Sequence, residues 1–237
     1  AAVEAKKAGW GAGFRGVFKN PGIAKPLMGY ILLSSFLYMM YYIIATAFGA
    51  YVAGDPKQAA AVAGSLTGLY GVGALFGALA MDRLSRLIDK KTALLPENER
   101  DDAGRKLYAK SAAKSLIWTA AAMLGSWAFV SQTALFTFVW PIFPISPILL
   151  LIGFTSQMAI IHLDTIMKDR IPKEDKALAG SILGAIRTLT YLSFVAGFLL
   201  WGGLFAGFGT ATFWMFAAFY TAVALIYLNL ARWLKSQ

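Results

Sequence analysis

Apolar stretches of twenty residues or more recur six times along this chain, separated by short polar segments, and that pattern leaves few folds open. A helix needs about 20 apolar residues to cross the hydrocarbon core of a bilayer. Inside lipid the backbone must satisfy its own hydrogen bonds, which a helix does within one segment. The runs fall at 26–52, 58–81, 112–133, 142–167, 177–204 and 210–233, the first opening at Pro26, a residue suited to a first helical turn. Charged residues make up only 14% of the 237, and hydrophobic ones 58%. A soluble domain carries about 25% charged residues and could not bury so much apolar surface. The expected fold class is therefore an all-α membrane protein with six transmembrane helices.

The cations set an orientation. Lys6, Lys7, Arg15, Lys19 and Lys25 precede the first run, and Arg83, Arg86, Lys90, Lys91, Arg100, Arg105, Lys106, Lys110 and Lys114 follow the second. Lys168, Arg170, Lys173 and Lys176 follow the fourth, and Arg232 and Lys235 close the sequence. The opposite side holds Lys57 and otherwise uncharged turns such as SQTALFTFVWP. Cations in short loops resist translocation, so the basic side is expected to stay cytoplasmic, with both termini, in a plasma or inner membrane. Residues 1–25 then form a cytoplasmic basic arm or inter-half linker, and residues 26–237 the bundle, with a long cytoplasmic loop at about 82–114. Trp118, Trp140, Trp201 and Trp233 fall near expected span ends, as interfacial aromatics do.

The net charge of +10 is read as this topogenic bias together with attraction to anionic lipid, with no nucleic-acid partner. With no cysteine and one histidine, no disulfide, thiolate centre or multi-histidine metal site is expected, and no cofactor. No paired carboxylates, phosphate-cradling loop or nucleophile–base pair stands out, so no enzymatic activity is expected. The opening AAVEAKKAGWGAGFRGVFKN is polar and lacks both a signal peptide and an initiator Met, which suggests a processed chain or part of a longer one. Glycines four apart, Gly64/Gly68, Gly73/Gly77 and Gly180/Gly184, mark expected helix-packing seams.

The segment GALFGALAMDRLSRLIDKK, closing the second run, resembles the cytoplasmic signature of the major facilitator superfamily. Asp82, Arg83 and Arg86 stand at its charged positions, while Ala78 and Ser85 replace the usual glycines. IIHLDTIMKDRIPKEDKALAGSILGAIRTLTYLS resembles that family's tenth helix, basic loop and eleventh helix, and GFRGVFKNPGIAKPLMGY its central loop entering the seventh. The resemblance implies the C-terminal six-helix half of a secondary transporter, built as two inverted three-helix repeats. It would work by alternating access on a small-molecule substrate, with a second half supplied by the same gene product, a second copy or a separate subunit. Asp82, Arg83 and Arg86 would then form a latch that biases one conformation. The alternative is a non-transporting subunit or assembly factor of a larger membrane complex that keeps the fold. The 82–114 segment is longer than the family's tight loop, and its DDAGRKLYAKSAAK portion reads either as a basic helix on the membrane surface or as a solvated linker.

Ionisable groups within a span are functional candidates because lipid makes them costly. Arg187 lies well inside the fifth run, and His162 and Asp164 lie in the last turns of the fourth. Arg187 could bind an anionic substrate or pair with Asp164, and Asp164 with His162 could carry a coupling proton. Tyr38, Tyr41 and Tyr42 share one helical face and could line a cavity, as could Gln157 and Tyr191.

Overall fold

The computed structural model describes residues 10–39, 56–125, 145–172 and 175–236. Those residues form seven α-helices and one 3₁₀ turn: α1 Trp10–Lys19, α2 Pro21–Met39, α3 Pro56–Ala93, α4 Glu97–Leu124, α5 Ile145–Asp169, α6 Lys176–Phe208, the turn Gly209–Ala211, and α7 Thr212–Lys235. Four stretches are long and apolar enough to cross a membrane: Ala60–Ala93, Leu149–Asp169, Ala177–Phe208 and Trp214–Lys235. The chain is thus built as an all-α membrane protein. The expected spans at 26–52 and 112–133 run partly into residues outside the described set.

Three boundaries differ from expectation. The basic arm is not featureless, because α1 places Val17 in an apolar cluster with Ile23, Leu27, Ile182 and Ile186 while Arg15 and Lys19 stay exposed. The next helix begins at Pro21, not Pro26. The Asn20 side chain accepts from the Gly22 N–H at 2.9 Å, and Pro21, which has no N–H to satisfy, takes the first helical position. Pro26 therefore sits inside α2.

The third difference is the 82–114 segment. α3 is 38 residues long and runs straight through Asp82 to Ala93. At 1.5 Å per residue it extends about 57 Å, well beyond a hydrocarbon core of about 30 Å. The chain turns over residues 94–96 and re-enters as α4, 28 residues long, whose polar start and apolar end are one helix. What reads as a loop is thus a helical hairpin, formed by the end of α3 and the start of α4. On its outer surface Lys106 bonds Asp102 at 2.6 Å, and that hydrogen bond, with the Asp102 charge, raises the lysine's pKa.

α5 lies at the centre, against α2, α3 and α4; α4 also packs on α7, and α2 on α6, with α1 laid across α6. Exchanging α2, α3, α4 for α5, α6, α7 leaves the set of packed pairs unchanged. The α3–α5 pair corresponds to α6–α2, α4–α5 to α7–α2 and α3–α4 to α6–α7, while α2–α5 and α4–α7 map onto themselves. The core contains Leu33, Leu66, Phe216, Tyr220 and Tyr227, with Trp201 edge-on to Phe216 at 6.1 Å between ring centroids. The Tyr227 hydroxyl donates to the Gly29 carbonyl at 3.0 Å, which satisfies a polar atom in a dry interior.

The glycine pairs divide. A Cβ added at Gly73 would strike the Leu150 backbone, at Gly77 that of Phe154, and at Gly153 that of Tyr70. These three let α3 and α5 come into backbone contact. Gly64, Gly68, Gly180 and Gly184 have nothing within 4 Å of that position, so they form no seam within the described bundle. Burial follows the same division. Buried residues make up 44% of the apolar windows of α5 and α7, but 22% of α3 and 11% of α6, so among the described residues α3 and α6 carry the least covered faces. α6 ends at Gly209, whose φ of +55° is open to glycine and strained for residues with a Cβ.

Candidate functional site

α4 and α5 meet along a line of small residues, and the one histidine of the chain is set into that line. His162 is fully buried. Its Nε2 lies 2.9 Å from the Ser111 hydroxyl and its Nδ1 2.8 Å from the Met158 carbonyl, one turn back on α5. The Ser115 hydroxyl is 3.3 Å from Nδ1 and itself donates to the Ala112 carbonyl at 2.9 Å. A carbonyl only accepts, so Nδ1 carries the proton and donates to Met158, and the bare Nε2 accepts from Ser111. The neutral imidazole is thereby satisfied at both nitrogens. Taking up a second proton at Nε2 requires one local change, rotation of the Ser111 hydroxyl so that its oxygen accepts.

Asp164 stands two residues beyond His162, which at 100° per residue turns it to another face of α5. Its carboxylate pairs with Lys168, one turn on, at 2.5 Å, with both side chains substantially exposed. It pairs with neither Arg187 nor His162. The expected acid–histidine cluster therefore separates into a buried imidazole held by two serines and an exposed ion pair.

Arg187 lies on the open face of α6, exposed, and makes no ion pair or hydrogen bond among the described residues. Tyr191, one turn further on the same face, is 67% exposed and meets Phe194 of its own helix edge-on. Gly180 and Gly184 complete a stripe along which small side chains lead up to one cation. Gln157 is half-buried at the α3–α5 seam, beside Gly77. The Tyr38 side chain, Tyr41 and Tyr42 lie outside the described residues.

The Asp82, Arg83 and Arg86 group sits on the exposed continuation of α3. Asp82 is bonded by Arg86 through two nitrogens, at 2.9 and 3.4 Å, one turn apart on the same helix. A tie from a hairpin helix to another part of the bundle is instead made by Arg105 of α4 and Asp169 at the end of α5, at 3.2 Å. That pair lines a cavity of about 380 Å³ between the basic ends of α3, α4, α5 and α7.

Sequence reasoning missed Ser111 and Ser115 as partners of His162. The signal was present, since Ser111, Ser115 and Thr119 recur every fourth residue and so form a polar line down one face of α4. The chain matches no family model, and neither a curated protein nor a solved structure is detectably similar to it.

Proposed function

We propose that this chain is one six-helix half of a major-facilitator-type secondary transporter, working by alternating access against a second half. The observation that carries this reading is the packing pattern. Every packed pair among α2 to α7 has its counterpart when the first three helices are exchanged for the last three, as two repeats of inverted topology require. The two helices with the least covered faces, α3 and α6, correspond to each other under the same exchange. On this reading those faces meet the second half, supplied by the same gene product, a second copy or a separate subunit. The expected spans at 26–52 and 112–133 complete the six, and both termini lie in the cytoplasm of a plasma or inner membrane. Arg187 then faces the cavity between the halves and offers a bidentate fork to an anionic small molecule. His162 is the coupling-proton candidate.

A second reading has its own support. The α3–α4 hairpin projects a long charged surface, and Asp164 is engaged by Lys168 outside any shared cavity with Arg187. Both suit a non-transporting subunit of a larger membrane complex.

Accessibility of α6 separates the two. The chain has no cysteine, so Gly184→Cys and Tyr191→Cys, flanking Arg187, introduce single reporters. In the native full-length protein, alternating access predicts labelling of both by an impermeant maleimide from either side of sealed vesicles. A static subunit predicts labelling from one side at most.

A further inference from the structure

α3 and α4 diverge from the turn that joins them. Near the turn Thr92 lies against Gly104, 3.6 Å from where a Cβ would stand. Further on the two helices separate while both lean on α5, which leaves a groove of about 890 Å³ with α5 as its floor. Lys91, Lys110 and Lys114 line its walls from the turn inward, and the rest includes Leu87, Trp118 and Phe154. No carboxylate lines it. The three lysines are exposed and form no ion pair among the described residues. Lys110 and Lys114 are one turn apart on α4, where like charges repel.

The groove spans a change of solvent. Phe154 lies level with Gly77 of α3, within the apolar stretch 60–81, as the close approach of their backbones fixes. Lys91 is about 21 Å further along α3, beyond Asp82 and Arg86 and so at headgroup level or past it. Trp118 is 62% exposed on the α4 wall near the level of Phe154, where its ring offers apolar surface to a chain lying in the groove. Three ammonium donors above an apolar trench that ends in hydrocarbon match an anion carrying an acyl chain.

We infer that this groove holds one anionic phospholipid of the leaflet at the basic end of the bundle. Its anionic headgroup draws on Lys91, Lys110 and Lys114, and an acyl chain lies over Leu87 toward Trp118 and Phe154. The site does not depend on whether the bundle transports anything.

Trp118 supplies the reporter. The full chain is reconstituted in phosphatidylcholine vesicles doped with brominated phosphatidylglycerol or brominated phosphatidylcholine, and quenching of Trp118 is taken as wild type minus Trp118→Phe. The anionic lipid should quench at about ten-fold lower mole fraction, because interfacial lysines attract anionic headgroups. The triple variant Lys91→Gln/Lys110→Gln/Lys114→Gln should lose that preference, and each single change should lose part of it. Lys19→Gln/Lys90→Gln/Lys235→Gln, which removes equal charge elsewhere, should keep it. Equal quenching by the two lipids, or a preference that survives the groove triple, overturns the site. So does equal loss in both triples, which would mean a general surface potential, and quenching by neither lipid, which would mean that protein covers the groove.

Discussion

His162 at the α4–α5 seam and Arg187 on the outer face of α6 are both ionisable side chains carried by apolar helices, yet their surroundings differ throughout. Every polar atom of the imidazole has a partner within the bundle, and small residues on α4 make room for it. The guanidinium has no such partner among the described residues, on a helix whose apolar window is only 11% buried. In lipid an unpartnered polar group is costly, so the first arrangement is complete in itself while the second calls for a partner beyond the described residues. The glycines repeat the contrast, with Gly73, Gly77 and Gly153 in backbone contact and Gly64, Gly68, Gly180 and Gly184 facing open space.

Substitutions can break or sharpen this contrast. The largest effect is expected at the closed seam. Gly153→Val drives a side chain into the Tyr70 backbone and should cost about 3 kcal/mol, the upper end of overpacking penalties, whereas Gly68→Val should change stability by far less. Thermal unfolding of the two variants in one detergent compares them directly, and equal midpoints would erase the distinction between seam and open face.

Next comes His162→Leu, which leaves the Ser111 hydroxyl and the Met158 carbonyl without the ring. A loss of about 1–3 kcal/mol is expected, the cost of stranding a buried polar group. Ser111→Ala alone should cost less, and the double variant should fall short of the sum because the two side chains share one hydrogen bond. Strict additivity would mean that the bond contributes nothing.

Asp82→Asn removes only an exposed pair within α3, so a stability change of about 0.3–0.5 kcal/mol is expected. A larger loss would point to a partner for Asp82 beyond its own helix, as the latch expectation requires. The smallest effect on the isolated chain belongs to Arg187→Ala, expected within about 0.5 kcal/mol because the side chain makes no hydrogen bond or ion pair among the described residues. On the transporter reading, the same change in the assembled protein should abolish uptake of an anionic substrate, and Arg187→Lys should impair it by losing the planar fork. Strong destabilisation of the isolated chain by Arg187→Ala would instead place a partner within it.

The extent of the apolar helices α5 and α7 was readable from hydropathy. The fourth and sixth runs, expected at 142–167 and 210–233, match α5 and α7 to within three residues at each end. Helices are not obliged to stop where lipid does, however, so α3 and α4 continue into the hairpin that composition alone makes look like a loop. The start of α2 turned on a capping contact between Asn20 and Gly22, which lies outside any hydropathy window. Lateral packing was hidden for a physical reason. A lipid-facing surface and a helix-facing surface are equally apolar, so sequence could propose Gly73/Gly77 and Gly180/Gly184 alike as seams and could not tell which pair is filled. The cost of its charge singles out Arg187, but its separation from Asp164 depends on which helix faces meet, and spacing does not encode that.

The central claim is that the open face of α6 is covered by a second membrane body, and photocrosslinking at Tyr191 tests it most directly. With benzoylphenylalanine at that position in native membranes, the account predicts adducts with peptides of a second six-helix body, either another copy of this chain or helices beyond these 237 residues. Adducts with phospholipid alone would contradict it, because they would mean that the face carrying Arg187 is turned to lipid.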